Sequence, residues 1–308
     1  MSNGIVTTGG VISTDELGLC YPHEHLLCAP PDELPDSDLH LDSEEASLQE
    51  LSFFQAAGGR SIVEMTPRGY GRDPDGLRRL GEKSGVQIIC ATGWHKEAYS
   101  RPWVEGRSVA NIAAEMVRDL SHGVGDPPVR AGVIKVGTSL DAITPLERTV
   151  IKAAARASLE TGAPISTHTD GGTMARAQAE LLLAEGVDPG RISIGHADRR
   201  LDWDEHRAIM DLGVALIYDQ LGKEKYAPDA TRIEFIMRLV DAGFGDRLLL
   251  SGDLARKSYL PSYGTGGGPG LTFILWRFLP WLRSEGLNEQ AITTLTVRNP
   301  AQRLTWQS

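Results

Sequence analysis

The sequence is poor in cysteine. It has three, Cys20, Cys28 and Cys90, an odd number with no CxxC pair. That argues against a disulfide framework and for a reducing compartment. No stretch of about 18 apolar residues occurs, so no transmembrane helix is expected. The opening MSNGIVTTGG lacks a basic start followed by an apolar run, so no secretory signal is expected and the default location is cytoplasmic. There is no Lys/Arg run long enough to act as a nucleic-acid tail. The formal net charge of −10 opposes phosphate backbones and anionic lipid, so neither nucleic acid nor membrane is expected as a partner. Aromatic residues make up only 6% of the chain, little for a greasy substrate to stack on.

What is present suits a soluble enzyme. The 308 residues are 41% hydrophobic and 23% charged, enough for one large core, and residues 1–308 read as a single domain. Part of the acid surplus sits in residues 32–50, read as a solvated loop and a helix start. Eight short β-branched or apolar runs recur at 19–23, 61–64, 87–91, 131–136, 164–167, 192–195, 214–218 and 247–251. Between several of them lie amphipathic helices, read at 145–161, 176–185 and 233–243. Thr144 before Pro145 predicts an N-cap followed by Pro at the first helical position, and Gly162 predicts the stop. Strand–helix alternation of this kind implies a parallel sheet with helical crossovers. An open doubly wound sheet would normally carry a GxGxxG loop after its first strand, and here that place holds Glu24-His25-Leu26-Leu27-Cys28. The predicted fold is therefore α/β, a single (β/α)₈ TIM barrel, with the Gly-rich 264–270 stretch as a loop after the eighth strand.

Polar residues gather at the predicted strand ends. His23 and His25 stand two apart on the first strand, so both imidazoles can converge on one ion while Glu24 points away. His168 and His196 each close a predicted strand, which in a barrel places them on the catalytic face. Alone, a histidine at such a strand end is more often a hydrogen-bonded structural residue. Asp253 follows Leu248-Leu249-Leu250 and can bind a metal or move a proton, or simply cap a helix. Lys135 sits inside Val133-Ile134-Lys135-Val136, where a lysine is costly unless it is paired or neutralised.

The order His-x-His, Lys, His, His, Asp resembles the amidohydrolase superfamily and, within it, the phosphotriesterase family. The segments that carry the resemblance are Tyr21-Pro22-His23-Glu24-His25, Gly132-Val133-Ile134-Lys135, Ile165-Ser166-Thr167-His168-Thr169, Ile194-Gly195-His196-Ala197-Asp198 and Ser251-Gly252-Asp253. It runs over nearly the whole chain. It implies two divalent ions, zinc or else manganese or cobalt. His23, His25 and Asp253 would take one ion and His168 and His196 the other. Lys135, carbamylated by CO₂, and a hydroxide would bridge them, and Asp253 would accept the hydroxide's proton. A homodimer is common in such a family.

Loops must choose the substrate. Lys225, Arg256 and Tyr259 lie in loops after the seventh and eighth strands and can present a point charge, a donor fork and a hydroxyl to one anionic group. Their spacing resembles the branch that opens phosphorylated sugar 1,4-lactones. Neighbouring Lys223, Glu224 and Lys257 read as ordinary surface charge. Trp94, Trp103, Phe273, Trp276 and Trp281 read mainly as core. Where many family members have Tyr in the third-strand motif, this chain has His95, a candidate for bonding a sugar hydroxyl or a backbone group. The alternatives are an organophosphate triester, an uncharged or acyl-homoserine lactone, or a metal-binding barrel without turnover.

Overall fold

The computed structural model describes residues 4–31 and 36–307. A short antiparallel hairpin, β1 (Ile5–Thr7) and β2 (Gly10–Ile12), precedes the barrel. Eight parallel strands follow in sequential order: β3 (Cys20–Glu24), β4 (Ser61–Glu64), β5 (Gln87–Gly93), β6 (Val133–Thr138), β7 (Ile165–Thr169), β8 (Ile192–Ile194), β9 (Ala215–Tyr218) and β10 (Leu248–Leu250). Every predicted run holds a strand. Four run further toward the C-terminal end than predicted, β3 to Glu24, β5 to Gly93, β6 to Thr138 and β7 to Thr169.

Strand parity divides the core in two. Ile62, Ile88, Cys90, Ile134, Val136, Leu216, Leu248 and Leu250 face outward into the shell of helices. Val63, Ile89, Ala91, Val133, Ala215, Ile217 and Leu249 belong to separate inner clusters. Successive strand residues point to opposite faces, so Lys135, two after Val133, must point inward. The first barrel strand breaks this rule. Cys20 is inside and Tyr21 outside, so strict alternation would send His23 to the helices. The β3–β4 register shifts between Tyr21 and Glu24, and a one-residue irregularity of this kind reverses the face.

The two sheet edges, β3 and β10, are joined by side-chain bonds. Ser251 Oγ accepts from the His23 N–H at 3.1 Å and stands 2.7 Å from the His23 carbonyl and 2.8 Å from Glu24 Oε1. The helix Pro145–Thr161 shows the predicted signals. Thr144 and Glu147 form a reciprocal capping box, and Gly162 is left-handed at φ 83°, where a Cβ would meet the Gln307 carbonyl oxygen at 2.1 Å. The other two predicted helices run Ala175–Ala184 and Asp229–Asp241, the second starting a turn early because Asp229 is drawn in by Arg232. The barrel floor is covered by the chain end: the Trp306 indole donates to the Gly132 carbonyl at 2.9 Å, and the Trp306 N–H to that of Gly4 at 3.0 Å. No helix among the described residues is long and apolar enough to cross a membrane.

Candidate metal centre

All six candidate ligands converge at the C-terminal mouth of the barrel, lining one cavity of about 190 Å³. Lys135 lies at its base, 1% exposed, with Nζ 2.8 Å from His23 Nε2. Burial is the main cause that pulls the lysine down to about 8, and it also pushes His23 down to about 3 with help from Lys135. His168 is held well below the usual imidazole range for the same reason. Neutral imidazoles are what a metal needs.

Each of three histidines has a polar side chain close behind one ring nitrogen. The His25 Nδ1 lies 2.7 Å from Thr66 Oγ1, which donates to Glu64 at 2.6 Å, so His25 keeps its proton on Nδ1. Asp219 serves two rings, with Oδ1 2.8 Å from His196 Nδ1 and Oδ2 2.9 Å from His23 Nδ1. The opposite nitrogens are thereby turned inward with lone pairs rather than protons. His196 Nε2 and His168 Nδ1 stand 2.7 Å apart. His168 Nε2 is buried and has no partner among the described residues. Lys135 has only an imidazole within hydrogen-bond reach, an unbalanced place for a buried cation.

Two groupings of three residues bring donor atoms within 4.8 Å of one another: His23–His25–Asp253 and His23–His196–Asp219. The second is a support. Both Asp219 oxygens are already engaged, Oδ2 also accepting from the His196 N–H at 3.0 Å. The first faces the cavity, with Asp253 Oδ1 3.4 Å from His25 Nε2 and 3.8 Å from His23 Nε2. This donor set of imidazoles, one carboxylate and one lysine fits divalent transition ions.

Among the described residues, His196 and Asp253 are two of the four non-glycine residues with positive φ, at 58° and 46°. Such backbone costs of order 1 kcal/mol or more and persists only where its surroundings impose it. For Asp253 the surroundings are visible. Glu24 accepts from Gly252 N at 2.6 Å and Leu254 N at 2.9 Å, and the Asp253 N–H donates to the His23 carbonyl at 3.0 Å. Glu24 does point away from the cluster, as expected, and it clasps the loop that carries Asp253.

Lys223 corrects the sequence reading. It is buried, not surface charge. Its ammonium donates to Gln220 Oε1 at 3.2 Å, to Asp253 Oδ2 at 3.2 Å and to the Asp253 carbonyl, and Gln220 Nε2 reaches the same Oδ2 at 3.0 Å. Burial alone would raise the Asp253 carboxyl. Lys223 and the histidines overrule it and hold that group well below the usual carboxylate range. Glu224 and Lys257 do lie toward solvent, Lys257 paired with Asp42.

Among the candidate substrate residues, His95, Arg256 and Tyr259 line the central cavity. His95 Nδ1 accepts from the Lys96 N–H at 2.7 Å, which leaves its proton on Nε2. The Tyr259 hydroxyl is buried without a partner among the described residues. Arg256 Nη1 is held by Asp36 at 2.8 Å and Asp38 at 3.2 Å. Lys225 stands apart in an adjoining cavity of about 650 Å³, shared with Lys223, Tyr259 and the Gly-rich loop, its ammonium 5.1 Å from the Tyr259 ring. Of the aromatics read as core, Trp94 is buried, but Trp103, Trp276 and Trp281 are exposed.

The chain matches the phosphotriesterase family over residues 3–304. It is 33% identical to a phospho-furanose lactonase of Mycoplasmopsis synoviae (strain 53), over 96% of this chain and 89% of that one. The structure superposes on a lactonase from Listeria monocytogenes with TM-score 0.94 at 35% identity, covering 99% and 100% of the two chains. On the Escherichia coli phosphotriesterase homology protein, solved with phosphate in its active site, the TM-score is 0.91 at 35% identity, covering 94% and 99%. The chain belongs to the phosphotriesterase family.

Proposed function

We propose that this hydrolase opens phosphorylated sugar 1,4-lactones at a centre of two divalent ions. That it hydrolyses ester bonds follows from its family and its lactonase relatives. The finer reading rests on one observation: the unpartnered Tyr259 hydroxyl and the Arg256 guanidinium share a cavity with the six candidate ligands. The phosphate seen in the active site of the related Escherichia coli protein supports an anion there.

His23, His25 and Asp253 would hold one ion, and His168 and His196 the other. Lys135, with CO₂ added to Nζ and a proton released, would join them. When bound, zinc, manganese or cobalt acidifies water and polarises a carbonyl. The chain's own residues do the rest. Lys225, Arg256 and Tyr259 hold the phosphate remote from the reacting carbonyl and so orient it. His95 offers Nε2–H to the sugar. The Asp253 carboxylate takes the proton from the attacking water and delivers it to the leaving ring oxygen.

The test is hydrolysis of paired lactones, with and without a terminal phosphate, by zinc-reconstituted protein. The expected result is a strong preference for the phosphorylated member, cut about 10- to 100-fold in kcat/KM by Arg256→Ala, as loss of a charge-assisted bond predicts. Equal turnover of the neutral lactones would remove the phosphate clamp and favour uncharged esters or triesters.

A further inference from the structure

The cavity wall across from Arg256 and Tyr259 has a different chemistry. Lys96, one residue past His95, pairs with Asp170, two residues past His168. Both line the cavity and keep 19% and 26% of their side chains exposed. Arg199 lines the cavity beside them, Nη1 4.0 Å from Asp170 Oδ1, with its guanidinium 4.5 Å from the Tyr226 ring centre. A partly exposed ion pair contributes roughly 0–1 kcal/mol to stability, so folding alone gives little reason for it. Yet its placement is rigid. The Lys96 N–H is tied to His95 Nδ1, and the Asp170 carbonyl accepts from Thr173 N at 3.1 Å and Thr173 Oγ1 at 2.8 Å.

An ammonium that only donates beside a carboxylate that only accepts is complementary to hydroxyls, which do both. We propose that Lys96 and Asp170 form a hydroxyl-reading subsite, which takes a ring hydroxyl or vicinal diol of the substrate whose phosphate Arg256 and Tyr259 hold. This rests on the lactonase reading above and adds which part of the substrate lies where.

The experiment compares a phosphorylated pentono-1,4-lactone with its ring-deoxy, still phosphorylated analogue, using the zinc-reconstituted full chain. The wild type should prefer the hydroxylated lactone by about 10- to 100-fold in kcat/KM, the worth of a charge-assisted bond in a confined site. Asp170→Asn and, independently, Lys96→Met should each collapse that ratio toward one. Calorimetric titration with the two ring-opened hydroxy acid phosphates should show the same collapse without turnover. An unchanged ratio in both variants, or equal loss on both lactones, would overturn the subsite and leave the lactonase reading intact. A wild type inert to both lactones would overturn both.

Discussion

The inside of this barrel has two halves made of the same strands. The lower half holds apolar side chains such as Val63, Ile89, Val133, Ile217 and Leu249, with a residual void of only about 10 Å³. The upper half holds the six candidate ligands, with His95 beside them, around about 190 Å³. The lower half is specified by volume, and many residues of similar size would serve. The upper half is specified by partners. His23 and His196 depend on Asp219, His25 on Thr66 and Glu64, and Asp253 on Glu24, Gln220 and Lys223. Charges of this kind are retained at a cost to stability, which places function at the upper half.

Three substitutions separate the halves, and a fourth probes a buried histidine outside both. The largest effect is expected from Asp253→Asn, which should lower kcat/KM for a phosphorylated lactone by about 10²- to 10⁴-fold, with a smaller loss of stability because buried Lys223 gives up its charged partner. Leu249→Ala should do the reverse. It should cost about 2–5 kcal/mol in urea unfolding with kcat/KM per folded molecule little changed. His206→Gln tests a histidine outside the interior, where one ring nitrogen lies 2.8 Å from the Tyr218 hydroxyl and burial holds the ring down to about 4. A depressed histidine is neutral in the fold and protonates sooner in the unfolded chain. Its stabilising share is present above an unfolded value near 6.5 and is lost as pH falls toward 4, up to about 3 kcal/mol. Unfolding curves at pH 7 and pH 5 should therefore differ more in the wild type than in the variant. Asp219→Asn should weaken zinc affinity about 10- to 100-fold, since its oxygens face two of the ligating rings. A larger loss of stability than of affinity would contradict the division between halves.

Much of the fold was legible because apolar runs mark strands whatever their partners, and because Thr144, Pro145 and Gly162 signal helix ends locally. The six candidate ligands were legible because imidazole and lysine at strand ends are conspicuous. Their supports were not. Asp219 and Glu64 carry no local signal in the sequence, and only the folded chain brings them behind His23 and His25. Lys223 read as surface because nothing local reveals that Asp253, 30 positions away, draws it in. The turn of His23 into the barrel depends on a register shift against β4, a property of two strands together.

The central claim is that the upper half exists to hold two divalent ions, and metal content tests it without any knowledge of the substrate. Protein reconstituted with zinc and bicarbonate, then freed of loose metal, should carry two ions per chain by elemental mass spectrometry, and Lys135→Ala should lose at least one. A wild type that binds no zinc, or a Lys135→Ala variant that keeps both ions, would contradict the account.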